Sequence, residues 1–398
     1  MPESTNPSIA PARGRREASL SRKDFVVDDN RLTPLIGGGE RLKALIDLID
    51  GARESLRLLY YIYTNDGTGR EVRAAMERAL DRGVRLSLIV DGFGSSAGTD
   101  FFRPLQDKGA DVCRFLPRYG RRYLLRNHQK LALADKTVAI VGGFNVENDY
   151  FDEKKGWRDL GIRLEGPAAR RLAGYFDALA KWTRQPRAPL RELRNALGQW
   201  SNPKGGNACW LLGGPTRKLN PWARALRADI GRARQLDIIA AYFAPTPRMM
   251  RAIESVARRG GEARVITPSK TDHTVAIAAA RHTYHRLLSR GVRVFEYQPL
   301  KLHTKLFVID DVVHIGSANF DVRSLFLNLE IMLRIQDRAL AEHMRAYFEG
   351  ELDDSCEITR ASHKRAGFLT RLRWAIAYYV MAVVDASVTR RLNFAVDQ

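Results

Sequence analysis

The stretch KLHTKLFVIDDVVHIGSANF, residues 301–320, brings an imidazole, an ammonium group, a carboxylate and a carboxamide into one short segment. His303 and Lys305 lie two residues apart, Asp310 follows, and Asn319 ends a Gly-Ser-x-Asn sequence. The apolar, β-branched residues between them predict two strands joined by a turn at Asp310. Because side chains alternate along a strand, the histidine and the lysine are expected to point the same way. A histidine at the start of a strand is usually structural, so a catalytic role depends on whether the pattern recurs.

The same pattern recurs at residues 126–145, RNHQKLALADKTVAIVGGFN. His128, Lys130 and Asp135 keep the spacing of the other copy, and Asn145 ends a Gly-Gly-x-Asn sequence. The other copy is one residue shorter between its histidine and its asparagine. Two matching sets of four polar residues indicate an internal duplication, with both histidines facing one cleft.

Two histidines in one cleft have the chemistry that phosphodiester transfer needs. One imidazole can attack phosphorus and form a phosphohistidine intermediate. The other can protonate the leaving oxygen and then deprotonate the incoming alcohol or water. The lysines and asparagines of both copies would hold the non-bridging oxygens and stabilise charge in the transition state. Because cationic side chains perform this electrostatic task, we expect no metal ion and no cofactor. The spacing does not tell which histidine is the nucleophile.

The segments around the two motifs also repeat, which indicates how the motifs are positioned. In each half, a glycine-rich turn precedes an amphipathic helix, an apolar strand, a second helix ending in Arg-Gly, and a further strand. Strands that alternate with helices predict α/β lobes with largely parallel pairing. The predicted divisions are a flexible tail (1–30), a first lobe (31–199), a linker (200–207), a second lobe (208–362) and a basic, apolar tail (363–398).

Composition and charge limit the class of protein. The 398 residues suffice for two domains, and 45% apolar residues can form substantial cores. A formal net charge of +20 favours a polyanionic partner, either nucleic acid or an anionic membrane surface. Cys113, Cys209 and Cys356 form no CxxC pair, which argues against a zinc ribbon and favours reduced thiols in the cytosol. Neither a signal peptide nor a membrane-spanning helix is predicted, because the sequence shows no apolar leader and no run of about 20 apolar residues.

The paired His-x-Lys-x-x-x-x-Asp pattern resembles the signature of the phospholipase D superfamily, over nearly all of residues 35–340. The resemblance implies an α/β fold of duplicated lobes, each a mixed sheet flanked by helices, with one active site at the pseudo-twofold interface between the lobes. It also implies that a carboxylate after each motif orients a histidine, and Asp159 and Glu330 are the candidates. For Asp159, a solvated surface position is the alternative. The predicted catalytic residues are His128, Lys130, Asp135, Asn145, His303, Lys305, Asp310 and Asn319. The two motif aspartates are expected to support the site and not to carry protons, and the resemblance favours His128 as the nucleophile.

The flanking segments are most similar to those of bacterial cardiolipin synthases. These segments are LIVDGFGS (88–95), GGFNVENDYF (142–151), GWRDLGIRLEGPAA (156–169), AYFAPTPRM (241–249) and ITPSKTDHTVAIAAARHTY (266–284). The resemblance implies a phosphatidyltransferase that moves the phosphatidyl group of one phosphatidylglycerol to a hydroxyl of another through a phosphohistidine, releasing glycerol. The alternatives are a hydrolase of the same superfamily, acting on phospholipid or on nucleic acid, and a non-catalytic lipid-binding scaffold. Intact motifs argue against the scaffold, and the apolar C-terminal tail argues against a nucleic acid partner.

The C-terminal segment is the candidate for membrane attachment, because the N-terminal spans common in that family are not seen in this sequence. Its apolar run, Trp374–Val384, has 11 residues, too few to span a bilayer but enough to lie in an interface. Arginines flank the run, and its aromatic residues suit the headgroup level. A helix docked on the protein body or on a partner subunit is the alternative. We therefore expect a peripheral protein on the cytoplasmic face of a bacterial cell membrane, with phosphatidylglycerol as its partner. The oligomeric state is not predicted.

Two other groups of residues have a less specific pattern. Four arginines precede the first motif and could steer anionic headgroups or form a solvated loop: Arg118, Arg121, Arg122 and Arg126. Three histidines and an aspartate lie close in sequence: Asp272, His273, His282 and His285. They lack supporting metal ligands, so packing or headgroup contact is expected there.

Overall fold

The computed structural model describes Leu20 and residues 23–116, 124–185, 187–216 and 219–384. The elements of the first half are β1 (Phe25–Val27), β2 (Asn30–Leu35), α1 (Gly38–Gly51), β3 (Ser55–Tyr60), α2 (Gly67–Asp81), β4 (Arg85–Asp91), α3 (Thr99–Asp107), β5 (Asp111–Phe115), β6 (Leu131–Ala134), β7 (Val138–Gly142), β8 (Trp157–Arg158), β9 (Gly161–Glu165), α4 (Pro167–Arg184) and α5 (Leu190–Trp200). Those of the second half are β10 (Ala208–Gly213), α6 (Pro221–Arg232), β11 (Gln235–Ala240), α7 (Pro247–Arg258), β12 (Glu262–Pro268), α8 (Thr274–Ser289), β13 (Arg293–Tyr297), β14 (Lys301–Leu302), β15 (Lys305–Ile309), β16 (Val312–Gly316), α9 (Val322–Phe326), β17 (Glu330–Gln336), α10 (Arg338–Asp353), β18 (Ser355–Ile358), α11 (Arg360–Lys364) and α12 (Phe368–Tyr379).

Each half of the chain forms one mixed sheet, and the two sheets share the order of seven strands, with β1 added at one edge of the first and β18 at the other edge of the second. The first is ordered β1-β2-β9-β7-β6-β3-β4-β5 and the second β10-β17-β16-β15-β11-β12-β13-β18. Strands β3, β4 and β5 are parallel, as are β11, β12 and β13, because a helix connects each strand to the next. The remaining pairs within these two sheets are antiparallel. The duplicated α/β fold with mixed sheets is confirmed. The expectation of largely parallel pairing is wrong, since hairpins and edge strands complete each sheet.

The two motifs form matching hairpins at the centre of their sheets. β15 pairs with β16, and the strands are joined by two residues, Asp310 and Asp311. β6 and β7 are joined by three residues, and in this turn both Asp135 (φ 50°) and Lys136 (φ 59°) adopt the left-handed conformation. The additional turn residue accounts for the longer spacing between histidine and asparagine in the first motif.

Buried apolar residues form a central core between the lobes and one further core on the outer side of each sheet. The central core contains residues of both sheets, such as Leu133 and Val308, together with residues of α4 and α10. The outer cores pack the sheets against α1, α2 and α3 in the first lobe and against α6, α7 and α8 in the second. Because the central core belongs to both lobes, its burial fixes one lobe against the other.

The first lobe begins earlier than predicted. β1 lies within the predicted tail of residues 1–30 and extends the edge of the first sheet by pairing Phe25 with Leu32. The rest of that predicted tail, residues 1–19 and 21–22, lies outside the described residues.

The predicted C-terminal tail begins as a helix docked on the second lobe. Ala377 of α12 is buried against α8, and the Tyr378 hydroxyl donates to the carbonyl of Pro245 at 2.9 Å. The opposite face of α12 is exposed and apolar. No helix among the described residues is long and apolar enough to cross a membrane. Residues 385–398, which include Arg390 and Arg391, lie outside the described part of the chain.

Candidate active site

The histidine of each motif is anchored through its main chain to the other lobe. His128 lies shortly before β6, and its N–H donates to the carbonyl of Leu329 at 3.0 Å. His303 lies between β14 and β15, and its N–H donates to the carbonyl of Arg158 at 2.7 Å. In both cases the accepting residue immediately precedes the acidic residue that the sequence predicts to orient a histidine. The short parallel pair of β8 and β14 adds further backbone contacts between the lobes beside the bond from His303 to Arg158.

Glu330, from the second lobe, holds the imidazole of His128, from the first. Both carboxylate oxygens of Glu330 lie 3.1 Å from His128 Nδ1. Ser317 Oγ donates to Glu330 Oε2 at 2.5 Å, and Ser324 Oγ donates to Oε1 at 2.7 Å, so the fully buried carboxylate is fixed in place. A carboxylate at Nδ1 sets the tautomer, leaves Nε2 for the substrate and stabilises the imidazolium.

Asp159, from the first lobe, holds His303 of the second lobe in the same way. Its Oδ2 lies 2.7 Å from His303 Nδ1, and its Oδ1 accepts from the N–H of Leu160 at 2.7 Å. Asp159 is fully buried, which excludes the solvated surface position. Gly143 occupies the motif position that Ser317 occupies in the other copy, and a Cβ there would lie 2.4 Å from Asp159 Oδ1. The Gly-Gly and Gly-Ser forms of the motif therefore fit the different positions of the two carboxylates.

Burial lowers the pKa of both imidazoles. For His128, desolvation outweighs the attraction to Glu330. For His303, desolvation and repulsion from Lys305 together outweigh the attraction to Asp159, so its pKa is lowered as well. Burial alone would raise the pKa of Asp159, but the charges of His303 and Lys305 outweigh it, and that pKa is lowered. Both shifts favour the uncharged imidazole, the form in which a histidine can act as a nucleophile.

Lys130 and Lys305 are buried close to the histidines, with exposed fractions of 1% and 2%. Lys130 Nζ donates to the carbonyl of His128 at 2.6 Å, and Lys305 Nζ donates to the carbonyl of His303 at 2.5 Å. Desolvation lowers the pKa of Lys130 to about 7 and that of Lys305 to about 8. An ammonium group has three donors, so in its protonated form each lysine keeps donors beyond this bond and places positive charge next to the imidazoles.

A cavity of about 400 Å³ between the lobes contains both histidines and both motif asparagines in its wall. Tyr61 meets the ring of His128 edge-on at 5.1 Å, and Tyr150 and Trp157 meet that of His303 at 5.2 and 5.3 Å. The cavity is lined by Tyr61, Ile62, Arg126, His128, Asn145, Tyr150 and Trp157 of the first lobe and by Tyr242, Asp272, His273, Val275, Ala276, His303, Asn319, Asp321, Arg323, Asn328 and Met381 of the second half. The structure thus brings the predicted histidines and asparagines together in one pocket.

Asp135 and Asp310 do not line this pocket but stabilise the turns at the opposite ends of β6 and β15. The carboxylate of Asp135 accepts from the N–H groups of residues 53–55 at 2.8 to 2.9 Å. That of Asp310 accepts from the N–H groups of residues 234–235 at 2.8 to 3.3 Å. Each carboxylate fastens a hairpin turn to the start of the neighbouring strand. Neither carboxylate lies in the wall of the pocket, and their contacts are those of side chains that stabilise turns.

Sequence reasoning missed two buried residues that hold the site from behind. Asp91, at the end of β4, accepts from the N–H of Asn127 at 2.8 Å and so fixes the residue before His128. Arg41 donates to the carbonyls of Asp159 at 2.5 Å and of Tyr150 at 2.8 Å. The role of Asp91 could have been predicted from the sequence, because a carboxylate that ends an apolar strand needs buried donors. The role of Arg41 could not, since it lies in a helix whose burial depends on how the lobe packs.

The other residues noted in the sequence have ordinary contacts. His282 stacks on Tyr378 with ring centroids 5.0 Å apart, and no group of three His, Cys, Asp or Glu in the described part of the chain is placed to hold a metal ion. Arg126 lies in the wall of the catalytic pocket, over the Phe93 ring at 3.8 Å. Arg118, Arg121 and Arg122 lie outside the described residues.

The protein has two equivalent α/β lobes, and each lobe supplies the carboxylate that orients the histidine of the other. This arrangement defines its class as a phospholipase D-like fold with one shared site. A solved structure of phosphatidylserine synthase from Haemophilus influenzae has a TM-score of 0.70 and 13% identity, covering 96% of this chain and 99% of that chain. Polyphosphate kinase from Porphyromonas gingivalis has a TM-score of 0.58 and 15% identity, covering 87% of this chain and 50% of that one. At such identities the likeness concerns the fold alone.

The chain belongs to the family of cardiolipin synthases with a phospholipase D-like domain. The family model "Cardiolipin synthase, PLD-like domain" matches residues 45–180 and 226–352. Cardiolipin synthase A of Pseudomonas entomophila is 30% identical over 367 residues, which are 89% of this chain and 75% of that protein. Cardiolipin synthase A of Pseudomonas putida is 30% identical over 381 residues, and cardiolipin synthase 1 of Staphylococcus aureus 27% identical over 379. The family resemblance stated from the paired motifs is confirmed.

Proposed function

We propose that this protein is a cardiolipin synthase, a phosphatidyltransferase that joins two phosphatidylglycerol molecules and releases glycerol. The observation that carries the proposal is the pair of imidazoles in one pocket, each backed at Nδ1 by a carboxylate of the opposite lobe. Family membership and the similarity to named cardiolipin synthases support the choice of substrate.

In the first half of the reaction, Nε2 of one histidine attacks phosphorus and forms a P–N bond. The bond from phosphorus to the glycerol oxygen breaks, and the imidazolium of the other histidine donates its proton to that oxygen. The entering phosphodiester carries a negative charge, which favours protonation of the neighbouring imidazole. The buried lysines and the two asparagines stabilise the charge that develops on the non-bridging oxygens.

In the second half, the same proton carrier acts in reverse. The neutral imidazole accepts the proton of a hydroxyl on the second phosphatidylglycerol, and that oxygen attacks phosphorus. The P–N bond breaks, cardiolipin leaves, and the first histidine is restored. Following the family resemblance, we assign the nucleophile to His128 and the proton carrier to His303.

The test is a product analysis. The purified protein is incubated with phosphatidylglycerol vesicles without added metal, and the lipids are resolved by mass spectrometry. We expect cardiolipin together with released glycerol, and loss of both in His128→Ala and His303→Ala. Phosphatidic acid as the main product would show that water is the acceptor and would contradict the synthase in favour of a hydrolase. No lipid turnover would direct the search to nucleic acid substrates.

The assignment of the nucleophile has its own measurement. The nucleophile is the histidine that carries the phosphatidyl group between the two halves of the reaction. In the wild type, quenched at alkaline pH during turnover, we expect the phosphatidyl adduct on the peptide that contains His128. An adduct on the peptide that contains His303 would reverse the assignment.

We further propose that α12 holds the protein peripherally on the cytoplasmic face of the membrane. Support comes from its outward face, where Phe368, Leu369 and Ile376 are 74%, 78% and 56% exposed. Large exposed apolar patches mark interaction sites. Ile376→Glu should weaken binding to phosphatidylglycerol vesicles without changing the fold, and protease protection in right-side-out and inverted membrane vesicles reports the face.

A further inference from the structure

A second cavity, of about 550 Å³, lies between α8, α11 and α12, outside the catalytic pocket. Its wall contains three imidazoles and an indole. His363 is buried, and its ring stacks on Trp374 with centroids 5.1 Å apart and on His285 at 6.4 Å. His282 also lines it and stacks on Tyr378. This stack holds the indole at the cavity wall, half-buried.

The charged groups around the cavity are predominantly cationic. Lys364 and Arg371 line it, are exposed, and have no carboxylate partner among the residues that the structure describes. The third cation, Arg286, is already paired with Glu254. The neighbouring Glu296 is likewise engaged, by Arg281. One ammonium and one guanidinium group therefore remain for an anion.

An exposed apolar surface adjoins these cations. Phe368, Leu372, Ile376 and Tyr379 recur at helical spacing on the outer face of α12, with exposed fractions from 45% to 74%. Arg371 lies beside this face, and α12 contains no acidic residue. An apolar face edged by cations, with an indole at its border, has the chemistry of a phospholipid contact, in which acyl chains lie below an anionic headgroup.

The second cavity and the catalytic pocket lie along the same two helices. Ala276, near the start of α8, and Met381, just after α12, line the catalytic pocket. His285, nine residues after Ala276 and thus about 13 Å further along α8, lines the second cavity. A lipid held in the second cavity would therefore set the position of the catalytic pocket relative to the membrane surface.

We propose that this second cavity binds the headgroup phosphate of an anionic phospholipid that is not being turned over, with its acyl chains against the outer face of α12. Lys364 and Arg371 bind the phosphate, and Trp374 lies at the headgroup level. The site rests on the proposed function only in its choice of lipid. The bound phospholipid holds the enzyme on anionic membranes with the catalytic pocket at the membrane surface.

The test measures binding of the full chain to phosphatidylcholine vesicles with and without phosphatidylglycerol, by flotation. The variant K364Q/R371Q removes the two cavity cations. The matched control, R170Q/K181Q, removes the same charge from exposed positions of α4 on the other lobe. We expect K364Q/R371Q to bind phosphatidylglycerol vesicles at least about tenfold more weakly, and the control to bind them nearly as well as the wild type. Turnover of a soluble short-chain phosphatidylglycerol should be unchanged in both.

Three outcomes would overturn the site. Equal losses in the two double variants would show that only overall charge matters. Unchanged binding in K364Q/R371Q would show that the cavity takes no headgroup. Self-association of the chain that Ile376→Glu abolishes would assign the outer face of α12 to a second copy. Flotation reports binding to the vesicles whether or not their lipid is turned over. This proposal can therefore fail while phosphatidyl transfer stands, and phosphatidyl transfer can fail while this proposal stands.

Discussion

Replacing Lys130 by methionine should abolish turnover and at the same time stabilise the protein. The side chain is 1% exposed, and desolvation lowers the pKa of its ammonium group from 10.5 to about 7. One pKa unit corresponds to about 1.36 kcal/mol, so protonation in the folded state costs about 5 kcal/mol more than in the unfolded chain. Methionine fills a similar volume without that cost, although the bond from Nζ to the carbonyl of His128 is lost. We expect a net gain of about 2 kcal/mol in the free energy of unfolding at pH 7.

The pH dependence of that difference follows from the direction of the shift. A lysine whose pKa is lowered in the folded state binds fewer protons there than in the unfolded chain. Stability therefore rises with pH up to the unfolded pKa. Between pH 7 and 9 the wild type should gain about 2 kcal/mol relative to Lys130→Met, because the variant lacks this titration.

Urea denaturation at pH 7 and pH 9 measures both quantities, with cardiolipin formation assayed in parallel. Lys181→Met, at an exposed position of α4, is the matched control and should change neither stability nor activity. A variant that is less stable than the wild type, with a difference that does not change between pH 7 and 9, would refute the reasoning. It would mean that burying the ammonium group of Lys130 does not lower the free energy of unfolding.

Four further substitutions test the parts of the site. Asp159→Asn and Glu330→Gln each remove a carboxylate from Nδ1 of a histidine. Because the imidazole then loses the group that orients it, kcat should fall about 100-fold or more with little change in KM, as measured by steady-state kinetics. Asp135→Ala leaves three N–H groups without their acceptor, so thermal unfolding should show a free energy of unfolding lower by about 2 kcal/mol, while the folded protein keeps its turnover. Loss of turnover in the folded variant would show that Asp135 has a catalytic role. Gly143→Ala places a methyl group 2.4 Å from Asp159 Oδ1 and should reduce kcat much as Asp159→Asn does, whereas unchanged kcat would show that Asp159 can move without consequence.

The sequence predicts the parts of this protein that depend on local pattern. A continuous apolar, β-branched run and a turn at Asp310 specify the β15–β16 hairpin, and the repeat of that hairpin indicates two equivalent lobes. The residue types of the site follow from the same duplication, because His128 and His303 occupy equivalent positions. These features depend only on neighbours in the chain, so the order of residue types is enough to specify them.

What the sequence does not provide are contacts between distant segments. Glu330 lies 202 residues from His128, and Asp159 lies 144 from His303, so nothing local tells which carboxylate serves which histidine. The burial of Lys130 is equally hidden, because it depends on how the lobes close around it. The role of Asp135 is obscured for a different reason: a turn aspartate and a catalytic aspartate look alike in a motif, and only its hydrogen bonds separate them.

Both histidine–carboxylate pairs connect the two lobes, so the activity of the enzyme depends on how the lobes dock. Each lobe supplies a histidine and the carboxylate that orients the other lobe's histidine, so neither lobe contains a complete pair. The central core joins the same two lobes. A substitution in that core, far from any substrate, should therefore lower kcat by loosening both pairs together, whereas one in an outer core should lower stability first. Activity in this fold thus depends on the docking of the lobes as directly as on the catalytic residues themselves.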